Sequence, residues 1–171
     1  QWMPGTAGKM AGRSSQFAVA ASKMARNDSG LDTGAPPDRI KVAIGTSLNG
    51  LTDVYQPAFE AFLRNEPIAP WTTLEFPAHA ATSHVAIESG ARGQATSFAT
   101  ACLAGLDAIA WAAEQVRSGQ ATAVIAGAAE TPLSASIVMA LKAVGVLPRW
   151  LGPPEEASRP FDRLRTGLVI A

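Results

Sequence analysis

The sequence holds one cysteine, two histidines and one tyrosine among 171 residues, and no excess charge of either sign. The lone Cys102 excludes an internal disulfide and a multi-cysteine zinc site, which leaves a buried thiol or a reactive one. A reducing, cytoplasmic setting fits that usage. His79 and His84 stand five apart; at about 100° per helical residue they lie roughly 140° from each other and cannot share one face as a metal pair would. They read as core or surface histidines, and no metal site is expected. Fourteen Lys and Arg balance 14 Asp and Glu without clustering, so the electrostatic footprint for nucleic acid is missing. No apolar run reaches the roughly 18 residues of a membrane span. The opening Gln1-Trp2-Met3-Pro4-Gly5 lacks the organisation of a secretory signal and an initiator Met, so a partial chain is expected.

Charge is also scarce: 16% of residues against about 25% in an ordinary domain, while 47% are hydrophobic. Disorder is excluded by that composition, and much of the surface is expected to be covered. Thirty-four residues are alanine, 16 of them between positions 95 and 143, which suits elements packed backbone-close.

Residues 1–13 read as an irregular lead-in. Ser14 and Ser15 offer cap oxygens for a helix over 14–28, stopped by Asn27-Asp28-Ser29-Gly30. Lys41 to Gly45 read as a buried strand. The following Gly45 to Gly50 resembles half of a phosphate loop, but Leu51 and Thr52 stand where a phosphate-binding Lys is needed, so no nucleotide site is expected. Helices are expected over 52–64 and from Pro77 through Glu88 to Gly90. A short strand over 95–101 leads into Cys102. Helical spacing then runs through Leu103, Leu106, Ile109, Ala110, Ala113 and Val116 to Gly119. Ala121 to Ala126 read as a strand covered on both faces, Ser134 caps a helix ending at Gly145, and Gly167 to Ala171 begin another strand. Alternating strands and helices predict an α/β fold with parallel pairing.

Cys102 falls where a strand hands over to a helix. A thiol attacks as thiolate, and unpaired N–H groups at a helix start supply positive potential for an anion. The small Ala101, Ala104 and Gly105 let a substrate come close, in the manner of a nucleophile elbow. An inert cysteine in an alanine-rich core is the competing reading of the same position.

Thr100-Ala101-Cys102 in this setting resembles the active-site segment of beta-ketoacyl-acyl-carrier-protein synthases, condensing enzymes of the thiolase superfamily. Ala121 to Glu130, ending Gly127-Ala128-Ala129-Glu130, is similar to their strand and Gly-Gly-Ala-Glu turn. Arg159-Pro160-Phe161-Asp162 to Leu168 is similar to their Arg-Pro-Phe-Asp segment, with Thr166 and Leu168 departing from it. Ile44 to Gly50 and the helix bearing His84 also fit in order.

The resemblance covers residues 14–171 and implies the N-terminal half of a thiolase-like layered α/β fold, with a mostly parallel sheet and packed helices. It implies decarboxylative Claisen condensation in fatty acid or polyketide synthesis, with Cys102 as acyl acceptor and its N–H as an oxyanion donor. Leu48 matches an apolar residue of the family's acyl pocket, against the plainer reading of a core leucine. Implied partners are acyl carrier protein bearing acyl and malonyl thioesters, and a second copy or a second synthase half; no cofactor is called for. The family's two catalytic histidines lie downstream of the nucleophile, and none follows His84 here. The chain alone is therefore expected not to complete condensation. The alternative is a non-catalytic thiolase-like module that shapes a partner's pocket. A chain-initiating synthase or a thiolase fits the Arg-Pro-Phe-Asp segment less well.

Overall fold

The computed structural model describes residues 3, 5–30 and 34–170 and divides the chain into two compact units, Gln1–Thr131 and Pro132–Ala171. The first unit begins with helix α1 (Gly5–Met10), within the segment whose sequence shows no period, and α2 (Arg13–Ser29). Strand β1 (Ile40–Gly45) follows, then a 3-10 turn (Asn49–Leu51), α3 (Tyr55–Leu63), α4 (Thr72–Glu75) and α5 (His79–Ser89). Strand β2 (Ala95–Phe98), α6 (Ala104–Arg117) and β3 (Ala123–Ala128) complete it.

The strands form a parallel sheet in the order β2-β1-β3, with Gly45 opposite both Phe98 and Ala128. Residues along β1 alternate between faces. Val42 and Ile44 join Ala18 and Val19 of α2 and Ala81 and Val85 of α5 in the core. On the opposite face Gly45 meets the first turn of α6, where an added Cβ would overlap the backbone of Ala104 and Gly105. Ala104, Ala108 and Ala112, spaced by four and buried along with Gln115, bring α6 down onto the sheet.

The larger apolar stripe of α6 points away: Leu106 is 64% and Ile109 53% exposed. The period that marks this helix is therefore not the period of the face it buries within this chain. Helix α3 likewise buries none of its residues, and Tyr55, Phe59, Phe62 and Leu63 are exposed. Strand β3 is half-buried where full cover was expected, because it forms the sheet's edge among the described residues.

Helix α2 starts at Arg13, and its N-cap, Gly12, has no side-chain cap; the anticipated caps Ser14 and Ser15 lie buried inside the helix. Two distant carboxylates take over: Asp53 accepts the Arg13 N–H, and Glu75 accepts the Gly12 N–H at 3.4 Å. Negative groups at this end also suit the helix dipole.

The second unit carries α7 (Ala135–Val144), where Ser134 Oγ accepts the Ile137 N–H at 3.3 Å and Gly145 closes the helix at φ 78°. Its later part is tied back by the Leu168 N–H bond to Val146 O at 2.8 Å, and Arg159 lies over the Trp150 ring. Residues 167–170 form no strand, and Ala171 lies outside the described residues. No helix among the described residues is long and apolar enough to cross a membrane.

Candidate active site

In a parallel sheet all strands end at the same edge, and loops gathered there form a natural site. Strand β2 ends at Phe98, three residues earlier than the apolar run suggests, and the chain then turns sharply. Ala101 adopts φ 53°, a left-handed conformation that costs a residue with a Cβ roughly 1–2 kcal/mol. Ala101–Leu103 make one 3-10 turn before α6 begins at Ala104. Thr100 Oγ1 donates to Asp107 Oδ2 at 2.5 Å, tying the end of the strand segment to the first turn of the helix. Cys102, at the middle of this elbow, is exposed and unbridged. Within this chain the thiol is therefore not buried in the alanine-rich core.

The turn after β1 lies beside the elbow. Thr46 N–H donates to Phe98 O at 2.9 Å, and Gly45 abuts Ala104 and Gly105. One carboxylate then organises the next three residues. Glu130, just past β3, accepts the N–H groups of Ser47 at 2.6 Å and Leu48 at 2.9 Å on Oε2, and of Asn49 at 2.8 Å on Oε1. The Thr46 hydroxyl lies 3.3 Å from both oxygens. Successive N–H groups converging in this way make an anion-binding concavity, here filled by the protein's own side chain. From the other side, Asn49 Nδ2 donates to Glu75 O at 2.9 Å and Pro77 O at 2.8 Å. Asn49 is buried at φ 42°, a conformation asparagine tolerates better than most residues. Leu48 is half-buried in the middle of this turn. The Cys102 elbow and the Leu48 turn thus follow the ends of two paired parallel strands, β2 and β1, at the same end of the sheet.

Glu130 and Asn49 were not singled out from the sequence. Asn49-Gly50 carried a local signal for a tight turn, but nothing in the spacing joins Asn49 to Glu130. The two histidines part company: His79 is exposed, whereas His84 Nε2 pairs with the buried Glu75 Oε1 at 2.8 Å. Among the described residues no three His, Cys, Asp or Glu side chains gather as a metal site would require.

Residues 3–171 match the family model for the N-terminal domain of beta-ketoacyl synthases. The chain belongs to the beta-ketoacyl synthase family. It is 36% identical to the ketoacyl synthase alpha subunit of the tetracenomycin polyketide synthase from Streptomyces glaucescens, over 92% of this chain and 39% of that protein. It is 34% identical to 3-oxoacyl-[acyl-carrier-protein] synthase 2 of Vibrio harveyi, over 91% of this chain and 38% of the relative. Among solved structures it resembles the ishigamide ketosynthase/chain length factor, with a TM-score of 0.79 and 25% identity over 98% of this chain and 41% of that one. The thiolase-like layered α/β architecture is therefore that of the N-terminal domain, and the chain spans about two fifths of the length of these synthases.

Proposed function

We propose that this chain supplies the nucleophile half of a condensing enzyme of fatty acid or polyketide synthesis, with Cys102 as acyl acceptor. The observation that carries this reading is an exposed thiol, the only one in the sequence, held in a sharp strand-to-helix turn in a beta-ketoacyl synthase domain. The Cys102 sulfur attacks the thioester carbon of an acyl-carrier substrate. A new C–S bond forms, and the carrier thiol leaves as the old one breaks. A malonyl-carrier thioester then loses carbon dioxide, and its carbanion attacks the acyl carbon. The cysteine sulfur departs, leaving a 3-ketoacyl carrier. In this reading the Cys102 N–H, in the turn just before α6, serves the developing oxyanion. Leu48, across the sheet edge, contributes to the wall of the acyl pocket.

The enolate step requires groups this chain does not offer at the elbow, since His84 is engaged with Glu75. They are supplied by the complementary half, on a continuing chain or a second subunit. Acyl carrier protein is the donor partner, and a second synthase-like chain is the structural one. The unpaired thiol suits a cytoplasmic location.

The test is acyl transfer from an acyl-carrier protein followed by intact-mass measurement. One acyl group is expected on the wild-type complete synthase at Cys102 and none on Cys102→Ala. Acylation that survives Cys102→Ala overturns the assignment. Ketoacyl product from the chain alone, with malonyl-carrier protein and no partner, overturns the division of labour between halves. Stable pairing with a partner but no acylation at Cys102 favours the non-catalytic module.

A further inference from the structure

We infer that Asp107 is a positioning residue for Cys102, holding the Thr100 hydroxyl and through it the left-handed turn at Ala101; the inference rests on the acyl-acceptor reading of Cys102. The elbow is fixed at both ends on β1. Phe98, the last residue of β2, stands opposite Gly45, and its carbonyl accepts the Thr46 N–H at 2.9 Å. On the helix side, the backbone of Ala104 and Gly105 lies where a Cβ on Gly45 would be. Residues 99–103, between these anchors, are all exposed. Packing within this chain therefore does little to hold them, and hydrogen bonds decide the path of the backbone. The N–H groups of Leu103 and Ala104 donate to Thr100 O at 3.2 Å and to Ala101 O. The Thr100 hydroxyl adds a bond of 2.5 Å to Asp107 Oδ2, spanning Ala101 at φ 53°.

A left-handed conformation is unfavourable for a residue with a Cβ, so Ala101 relaxes unless something opposes it. A hydrogen bond to an ionised carboxylate is among the stronger ones and is comparable with that strain. Asp107 is half-buried in the first turn of α6, a helix seated on the sheet by Ala104, Ala108 and Ala112, so the acceptor belongs to a firmly held element. An acidic group near a helix start also favours the helix dipole, but that role needs no partner at Thr100. Ala101 is bonded directly to Cys102, and a rotation at Ala101 moves the Cys102 N–H and sulfur together relative to α6. Acyl transfer, which in the proposed reaction uses both, is the property expected to respond. Alkylation of the exposed sulfur, which uses one, is not.

The experiment follows acylation of Cys102 in the complete synthase by acetyl-pantetheine, read as intact mass over a range of thioester concentrations. Thr100→Val is expected to lower the maximal acylation rate about tenfold, the scale of a misplaced reacting group, with the half-saturating concentration unchanged. Thr100→Ser keeps the hydroxyl and most of the rate. Asp107→Ala loses as much as Thr100→Val, and the two together lose no more than either alone, as one coupled interaction does. Ala101→Gly removes the left-handed penalty, so in the Thr100→Val background it restores most of the rate. Alkylation of Thr100→Val by iodoacetamide stays at the wild-type rate, since it needs the sulfur and no oxyanion donor. If Thr100→Val does not fold, Asp107→Asn, which keeps an acceptor oxygen without the charge, gives a smaller loss that Ala101→Gly again relieves. An unchanged maximal rate in Thr100→Val, a loss that Ala101→Gly leaves in place, or additive losses in the Thr100→Val and Asp107→Ala pair overturns the role of Asp107. Absence of acylation of the wild-type enzyme instead overturns the acyl-acceptor reading.

Discussion

Gly45 shows how a single absent side chain positions a site. It is the last residue of β1, and the backbone of Ala104 and Gly105 occupies the space where a Cβ would be. The close approach joins the Leu48 turn to the start of the helix behind Cys102. Gly45→Ala must push two backbones apart, and a loss of about 3 kcal/mol is expected, the upper range for overpacking. Urea unfolding of the variant checks it, and a loss below 1 kcal/mol would show that the sheet and α6 have room to separate. Ala101 has the opposite problem, since it keeps a methyl group in a left-handed conformation. The Thr100 to Asp107 bond helps hold the chain in that geometry.

Helix α2 shows that an element's start is not always written near it. Serines at 14 and 15 look like caps, yet they pack into the interior, and Ser14 Oγ donates to Ala129 O at 3.2 Å. The capping carboxylates, Asp53 and Glu75, arrive from the segment between β1 and α5. Asp53→Ala is expected to cost about 1 kcal/mol, the worth of a cap with its dipole interaction. The midpoint of urea unfolding at unchanged slope measures it; an unchanged midpoint would leave capping to Glu75 alone. Helix α7, by contrast, is capped by its own Ser134 and closed by Gly145, and its bounds were readable from the sequence.

The molecule's low charge finds its explanation at the scale of the whole protein. Helix α6 spends Ala104, Ala108 and Ala112 on the sheet and leaves Leu106, Ile109 and Val116 exposed, as is Leu103 just before it. Burying one such side chain is worth about 1.5–3 kcal/mol, and under the proposed division of labour the complementary half is what covers the stripe. Leu106→Glu with Ile109→Glu is expected to leave the thermal stability of the chain within about 0.5 kcal/mol, as surface substitutions do. The same pair prevents assembly of the complete synthase, read by size-exclusion chromatography. Normal assembly with both charges in place would show that this face stays in solvent.

The sequence by itself determined the order from β1 through α3, α5, β2, α6 and β3 to α7, the stops at Gly90 and Gly145, and the family, because these depend on residues near each other in the chain; it missed α1 and α4 and called for a strand after Gly167 that does not form. Cys102 was legible for the same reason, as a lone thiol between an apolar run and a helical period. Only the tertiary structure decided which stripe of α6 is buried, since spacing reveals a face but not what covers it. It alone decided that Glu130 reaches the turn around Leu48 and that Asp53 and Glu75 cap α2. Those bonds join residues from 40 to 83 positions apart, and parallel pairing of the strands is what brings Glu130 to the edge where Cys102 stands.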